Sequence, residues 1–140
     1  MVSTEVLCVL TGFPPWDYLV RERARLFDRY SKEIIGPEEQ NRKEIIKNIK
    51  TEEHERTMRE WQEEWEVCTK GRWVYDIIPN VREWKAGDTP PLDFHTTQAL
   101  TGHGCFSTFL KKIGKEEDAK CWFCDEENDD TAHTLFDCTK

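Results

Sequence analysis

The sequence predicts a mainly α-helical protein that ends in a compact cysteine and histidine module. Apolar residues recur at spacings of three and four over most of the chain, which is the period of an amphipathic helix. Glycine and proline divide this pattern into segments of helical length, and residues 41–69 contain neither. The last twenty residues differ, because they hold three cysteines and one histidine at close spacing. We therefore expect a helical region over residues 1–114 and a Cys/His module over residues 115–140.

The first two helices are predicted from their ends. A short helix can be capped by Ser3 or Thr4 and ends at Gly12, and Pro14 and Pro15 then open a second helix, since proline is tolerated in a first turn. The second helix carries one apolar stripe that we expect to be buried: Trp16, Leu19, Val20, Leu26, Phe27 and Tyr30. Its opposite face is basic and consists of Arg21, Arg25, Arg29 and Lys32. A Gly-Pro pair within residues 34–40 predicts a break.

Residues 41–69 predict one long helix. Its apolar positions follow a helical period and should face the core: Ile45, Ile49, Met58, Trp61, Trp65 and Cys68. At 1.5 Å per residue this helix would be about 40 Å long. Because that length exceeds the size of a small core, we expect part of the helix to project or to bend.

The remaining helical region is less regular. Residues 73–84 are rich in β-branched and aromatic side chains, and the pattern leaves open a strand or two short helical turns. After a loop at residues 85–91, Asp93 can cap a helix that runs through Leu100. A turn of Gly102, His103 and Gly104 then precedes a last helical stripe, which Gly114 closes: Phe106, Phe109, Leu110 and Ile113.

Composition limits the function. The formal net charge of −8 argues against indiscriminate phosphate binding, because proteins gain that affinity through Lys and Arg. No apolar run approaches the roughly 20 residues of a membrane span, and the N-terminus lacks a basic leader. We expect an intracellular protein, nuclear or cytoplasmic, without a membrane partner. Its six cysteines should then be metal-bound or free rather than disulfide-bonded.

The Cys/His module predicts a zinc site. Cys121, Cys124, His133 and Cys138 read as C-x2-C-x8-H-x4-C, which supplies three thiolates and one imidazole for a tetrahedral Zn²⁺ ion. Because all four positions are protein ligands, none stays open for a catalytic water, and the zinc should be structural. The alternative is a reduced cysteine cluster or a redox pair. Trp122, within the CxxC, is expected to pack on the preceding helix rather than to stack on bases.

Charge disfavours a nucleic-acid contact by the module itself. Residues 121–140 hold six acidic residues and one basic residue, Lys140, so this segment repels a phosphate backbone. Phosphate contacts, if made, should come from the basic face of the second helix or from four lysines before the module: Lys111, Lys112, Lys115 and Lys120. The alternative for both groups is an ordinary solvated helix face.

Catalysis is not indicated. His103 lies close to Cys105 and His95 in the sequence, but a histidine between two glycines more often fixes a bend by bonding to the backbone, and Cys105 begins an apolar stripe. Glycine-rich phosphate loops, GxSxG elbows and HExxH helices are absent from the sequence. We therefore expect a protein that is not an enzyme.

Three stretches of the chain resemble a known family, in the order in which that family has them. VSTEVLCVLTGFPPWDYLVRERARLF, ERTMREWQEEWEVCTKGRWVYDIIPNVREW and LDFHTTQALTGHGCFSTFLKKIG, followed by the CCHC zinc-knuckle pattern, are similar to the C-terminal end of a non-LTR retrotransposon reverse transcriptase, in particular of the insect elements that insert into ribosomal RNA genes. The resemblance implies a region beyond the polymerase that assists the binding of template RNA or target DNA. The resemblance assigns the zinc-ligand positions to Cys121, Cys124, His133 and Cys138, and the family's GHG turn to His103 and Gly104. The polymerase metal motif and the endonuclease are absent from this chain.

Two functions follow as expectations. The first is a non-catalytic zinc-binding accessory domain derived from such a reverse transcriptase, binding RNA or DNA weakly through basic faces. The second is a co-opted protein–protein interaction module with a purely structural zinc. The acidic balance, the six tryptophans and the overlong helix favour the second, whereas the resemblance favours the first.

Overall fold

The computed structural model describes residues 2–34, 39–87, 92–124 and 128–139, and over these ranges it is helical without a strand. The predicted mainly α fold is therefore confirmed. The predicted break at Gly36-Pro37 and most of the predicted loop at 85–91 lie outside the described residues. The helices are α1 Thr4–Thr11, α2 Trp16–Glu33, α3 Glu39–Val67, α4 Arg72–Ile77, α5 Val81–Ala86, α6 Phe94–Thr101, α7 Ser107–Lys112 and a closing π-helix, His133–Asp137.

The short helix α1 has the predicted ends. Ser3 Oγ accepts a hydrogen bond from the Val6 backbone N–H at 3.3 Å, and Gly12 ends the helix at φ +69°. That left-handed conformation costs glycine little because it has no Cβ. The cap orients α1 so that Val9 and Leu10 are buried in the core.

The core lies where α1, the C-terminal half of α3, α4 and α5 meet. Trp61 and Trp65 of α3 are 3% and 2% exposed, as the helical period predicts. The Trp65 indole N–H donates to the Ile78 carbonyl at 2.9 Å, so its one polar atom is satisfied while the ring packs. The other buried members of this core are Val6, Val9, Leu10, Met58, Val74, Ile78 and Val81.

Residues 73–84 form two short helical segments rather than a strand. Pro79 separates α4 from α5, and the Asn80 side chain caps α5 by accepting from the backbone N–H groups of Arg82 at 3.0 Å and Glu83 at 3.2 Å. Each segment contributes one buried valine to the core, Val74 and Val81. The apolar residues of this stretch therefore pack on α3 and α1.

Helices α2 and α3 form an antiparallel pair held by polar contacts. Arg25 Nε donates to Glu53 Oε2 at 2.6 Å, and Arg29 reaches Glu53 Oε1 at 3.2 Å. Nearer the core, the Tyr18 hydroxyl donates to Glu64. Glu53 is 7% exposed, so this is a largely buried ion-pair cluster rather than a solvated one.

The predicted burial of the α2 apolar stripe is wrong for half of its residues. Leu26 is 5% exposed and Leu19 and Tyr30 are half-buried, but Trp16, Val20 and Phe27 are 82%, 62% and 75% exposed. The reason is that Arg25 and Arg29 find carboxylates on α3, and this pairing turns the stripe outward. Charge complementarity, not the apolar period, selects the face of α2 that packs.

The long helix α3 extends beyond the core. Its buried tryptophans lie in the C-terminal half, whereas Ile49, 1% exposed, lies outside the main core cluster in the half that pairs with α2. The α2–α3 pair therefore projects, as expected from a helix of 29 residues. In the described part of the chain, no helix combines the length and the apolar character that a bilayer crossing requires.

Candidate metal centre

Four potential ligand atoms converge at the C-terminus. The Sγ atoms of Cys121, Cys124 and Cys138 and a ring nitrogen of His133 all lie within 4.8 Å of one another. Cys121 Sγ is 3.9 Å from Cys138 Sγ, and Cys124 Sγ is 3.2 Å from His133 Nε2. The local spacing read from the sequence thus brings all four side chains to one point.

Local backbone structure positions these ligands. Cys121 and Cys124 flank a tight turn, and His133 begins the π-helix that ends directly before Cys138. The Asp130 carboxylate accepts from the His133 backbone N–H at 2.9 Å, and the Cys138 N–H donates to the His133 carbonyl at 2.7 Å. Both bonds fix the chain on either side of the imidazole.

The electrostatics favour thiolate at Cys121. A hydrogen bond from the Phe123 backbone N–H is the largest cause that lowers the pKa of the Cys121 thiol, to about 7. The nearby Cys121 sulfur in turn raises the pKa of His133 by hydrogen bonding. Thiolate is the form of cysteine that binds metal, so the turn between Cys121 and Cys124 favours the metal-binding form of Cys121.

The donor set fits a tetrahedral metal ion. Zn–S bonds of about 2.3 Å in a tetrahedron place two sulfurs roughly 3.8 Å apart, close to the 3.9 Å between Cys121 and Cys138. Cys121 and His133 are buried, and Cys124 and Cys138 are half-buried. The cluster could therefore hold a metal ion with four protein ligands and no open position.

Asp129 attaches the Cys/His module to helix α7. Its carboxylate accepts from the Ser107 backbone N–H at 2.8 Å and from the Thr134 hydroxyl at 2.9 Å, and its carbonyl accepts from Thr108 N–H at 3.1 Å. The residue is 7% exposed. Burial alone would raise the pKa of Asp129, but these hydrogen bonds outweigh it and lower the pKa below its usual value. In the sequence, Asp129 is one of several acidic residues in the same loop, and nothing near it indicates this contact.

The glycine turn also lies against the module. Gly102 has φ +67°, and a Cβ there would come 3.4 Å from Thr131 Oγ1 of the module. His103 Nδ1 donates to the Thr101 carbonyl at 2.8 Å, and its ring lies 4.6 Å from the Phe109 ring, centroid to centroid. These contacts hold the His103 ring within the bend.

The aromatic residues of the module are more exposed than expected. Trp122 and Phe123, between the first two cysteines, are each 64% exposed. The expected packing of Trp122 on the preceding helix is therefore wrong. Phe136 is 72% exposed although its ring lies 6.2 Å from the Trp73 ring. The short CxxC turn directs its central side chains away from the sulfurs and into solvent.

The two groups of candidate phosphate-binding residues differ in their surroundings. On α2, Arg21 and Lys32 pair with Asp17 and Asp28 of the same helix at 3.4 and 2.7 Å, while Arg25 and Arg29 belong to the cluster around Glu53. The four other candidates are exposed and form no ion pair with any described residue: Lys111, Lys112, Lys115 and Lys120. Lys140 and the acidic Asp125, Glu126 and Glu127 lie outside the described residues.

Comparison with known proteins finds relatives whose similarity extends over nearly the whole chain. It is 33% identical over 99% of its length to the "Retrovirus-related Pol polyprotein from type-1 retrotransposable element R1 2" of Nasonia vitripennis, and spans 35% of that protein. It is 31% identical over 98% of its length to the R1 Pol polyprotein of Bradysia coprophila, of which it spans 14%. No protein-family model matches the chain, and no solved structure matches it at a significant level. The predicted relation to a non-LTR retrotransposon polyprotein is confirmed.

Proposed function

Because the chain is related to a part of the R1 retrotransposon Pol polyproteins, we propose that it is a non-catalytic accessory segment that assists RNA or DNA binding and is held together by a structural zinc ion. The observation that carries the proposal is the convergence of three thiols and one imidazole within 4.8 Å, in a module that exposed lysines precede in the chain. The thiol ligands require a reducing environment, which agrees with a location inside the cell, nuclear or cytoplasmic.

The zinc assignment rests on ligand chemistry. Three thiolates and a neutral imidazole favour Zn²⁺ over hard cations, which prefer oxygen ligands. With four protein ligands the site leaves no position for a reacting water, so the ion stabilises structure instead of activating substrate. Zinc would then fix the segment between Cys121 and Cys138 and, through Asp129, its attachment to α7.

The nucleic-acid surface is proposed at the lysines before the module. Lys111, Lys112, Lys115 and Lys120 are exposed and unpaired among the described residues, so they can approach phosphates without breaking an ion pair. On α2, by contrast, Arg21, Arg25 and Arg29 would first have to leave their carboxylates. Trp122 follows Lys120 closely in the chain and is 64% exposed, which allows base stacking beside the phosphate contacts. The net charge of −8 keeps this affinity weak.

Fluorescence anisotropy of the zinc-loaded protein with a single-stranded RNA tests the proposal at low and physiological salt. Replacing Lys111 and Lys112 by alanine should weaken binding and reduce the slope of log K against log salt by about 1.4, since each lost single-strand phosphate contact contributes about 0.7. The matched control replaces Lys47 and Lys50, two exposed lysines of α3. Equal effects of the two double variants, or no binding at low salt, would contradict the proposal.

A protein-interaction function is the second candidate, and one observation favours it. The apolar stripe of α2 is exposed at Trp16, Val20 and Phe27. Exposed contiguous apolar residues of this size commonly mark an interaction surface. If the anisotropy experiment shows no salt-sensitive binding, this candidate becomes the better one.

A further inference from the structure

The outward face of α2 carries the largest exposed side chains of that helix. Trp16, Val20 and Phe27 are 82%, 62% and 75% exposed. The same face holds Arg23, which is exposed and forms no ion pair with any described residue. This face lies opposite the one that packs on α3, so no described element of the chain covers it.

The spacing along this face is that of a coiled-coil seam. Intervals of four, three, four, three and four connect six positions: Trp16, Val20, Arg23, Phe27, Tyr30 and Ile34. Five of the six are apolar or aromatic, and alternation of three and four is the a/d pattern by which one helix meets another. Over 18 residue steps the seam is about 27 Å long.

We propose that a second copy of this chain covers the seam, with the two α2 helices antiparallel about a two-fold axis near residue 25. In an antiparallel pair each a position faces a d position of the other helix. Trp16 then meets Ile34 of the other copy, and Val20 meets Tyr30. The surface is self-complementary, as a two-fold interface must be.

Charge decides the orientation. A parallel pair would place the two Arg23 side chains against each other inside the seam, where like charges repel. The antiparallel pair places Arg23 against Phe27 of the other copy, and a guanidinium is attracted to the face of an aromatic ring. The same contact forms twice, once on each side of the axis. Ala24 lies between the two Arg23–Phe27 contacts. Because its side chain is small and exposed, the two α2 helices can approach each other closely there.

The exposed area is sufficient for a weak specific dimer. Large aromatic side chains bury about 150–250 Å² each, and Trp16 and Phe27 retain most of that surface. With Val20 this amounts to roughly 400 Å² per copy, and the exposed Arg23 adds to it, whereas Tyr30 and Ile34 are half-buried in the chain and add less. Two copies would therefore bury about 1,000 Å², the size of a weak interface. We expect dissociation at micromolar concentrations.

Sedimentation equilibrium of the wild-type chain over a concentration series tests the proposal. The apparent mass should rise from 16.6 kDa toward twice that value. Val20→Glu and Phe27→Glu should abolish the rise, while far-UV circular dichroism stays unchanged because both side chains are exposed. The matched control is Val67→Glu, since Val67 is 78% exposed at the end of α3 and away from the seam.

Two further results separate this dimer from other associations. Because each copy has a net charge of −8, salt should strengthen dimerisation by screening repulsion. A photo-crosslinker at position 20 should capture the other copy near Tyr30; capture near Val20 would indicate a parallel pair and overturn the orientation. A monomer at every accessible concentration, or dimerisation unaffected by Phe27→Glu, would overturn the proposal.

Discussion

Replacement of Asp129 by asparagine tests the contact that joins the Cys/His module to the helical region. The carboxylate accepts from Ser107 N–H at 2.8 Å and from the Thr134 hydroxyl at 2.9 Å, in a site that is 7% exposed. Asparagine has the same shape but only one acceptor oxygen, so one of these donors loses its partner. Each charge-assisted bond contributes about 1.5–3 kcal/mol, and we expect a total cost of about 2–4 kcal/mol.

Hydrogen exchange measured by mass spectrometry at neutral pH detects this cost locally. Opening of Ser107–Lys112 in the zinc-loaded variant should be about 30- to 1,000-fold more frequent, since every 1.4 kcal/mol is a factor of ten. Protection of Trp61 and Trp65 in α3 should not change. The matched control is Asp137→Asn, because Asp137 is exposed in the same module. Unchanged protection of α7 in Asp129→Asn would refute the reasoning.

The pH dependence of this contact has a definite sign. The folded-state pKa of Asp129 is lowered because the hydrogen bonds from Ser107 and Thr134 outweigh the effect of burial. A group with a lowered folded-state pKa stabilises the fold fully above its unfolded pKa, about 3.8, and loses that contribution as the pH falls through the folded value. The difference in α7 protection between wild type and Asp129→Asn should therefore stay constant from about pH 8 to about pH 5.

Three other substitutions test the metal site, the core and the ion-pair cluster. Cys138→Ser should release zinc and loosen the module while most helical content remains; elemental analysis that still finds one zinc per chain would show that the ligand set is wrong. Trp65→Ala should cost about 3–5 kcal/mol in urea unfolding because the ring is a core residue. Trp16→Ala, at an 82% exposed position, should stay within about 0.5 kcal/mol when it is measured below the concentration at which the chain dimerises. Glu53→Gln should lower the free energy of unfolding by about 2 kcal/mol, because it weakens the bonds to Arg25 and Arg29. The control is Glu52→Gln, since Glu52 is an exposed partner of Arg29. An equal loss of stability in the control would contradict a role for the burial of Glu53. Burial raises the pKa of Glu53, but the bonds from both arginines prevail and lower it, so the effect of Glu53→Gln should persist at neutral pH and fade below about pH 4.5.

The parts of the structure that the sequence predicts are those decided by nearby residues. Ser3, Asp93 and Gly12 cap their helices as expected, because a cap acts within one helical turn. The four ligands of the metal site lie within eighteen residues, so their spacing alone indicates that they can converge. Trp61 and Trp65 are buried because α3 has one dense apolar face near its C-terminal end.

The features that the sequence does not predict correctly, the exposed face of α2 and the role of Asp129, depend on partners that are distant in the sequence. An apolar stripe on α2 can be read from its period, but whether it faces the core depends on the carboxylates that α3 offers to Arg25 and Arg29, 23 to 28 residues away. Asp129 resembles any other residue of an acidic loop, and its partner Ser107 is 22 positions distant.

The distribution of charge connects the two proposals. The basic face of α2 is neutralised by the chain's own carboxylates, whereas the cations that the two proposals use form no ion pair with any described residue: the four lysines before the Cys/His module, and Arg23 in the α2 seam. The first should contact phosphate, and its affinity should fall as salt rises. The second faces an aromatic ring in a dimer whose net repulsion is relieved by salt. Opposite responses to the same salt titration would therefore show that the two surfaces act independently.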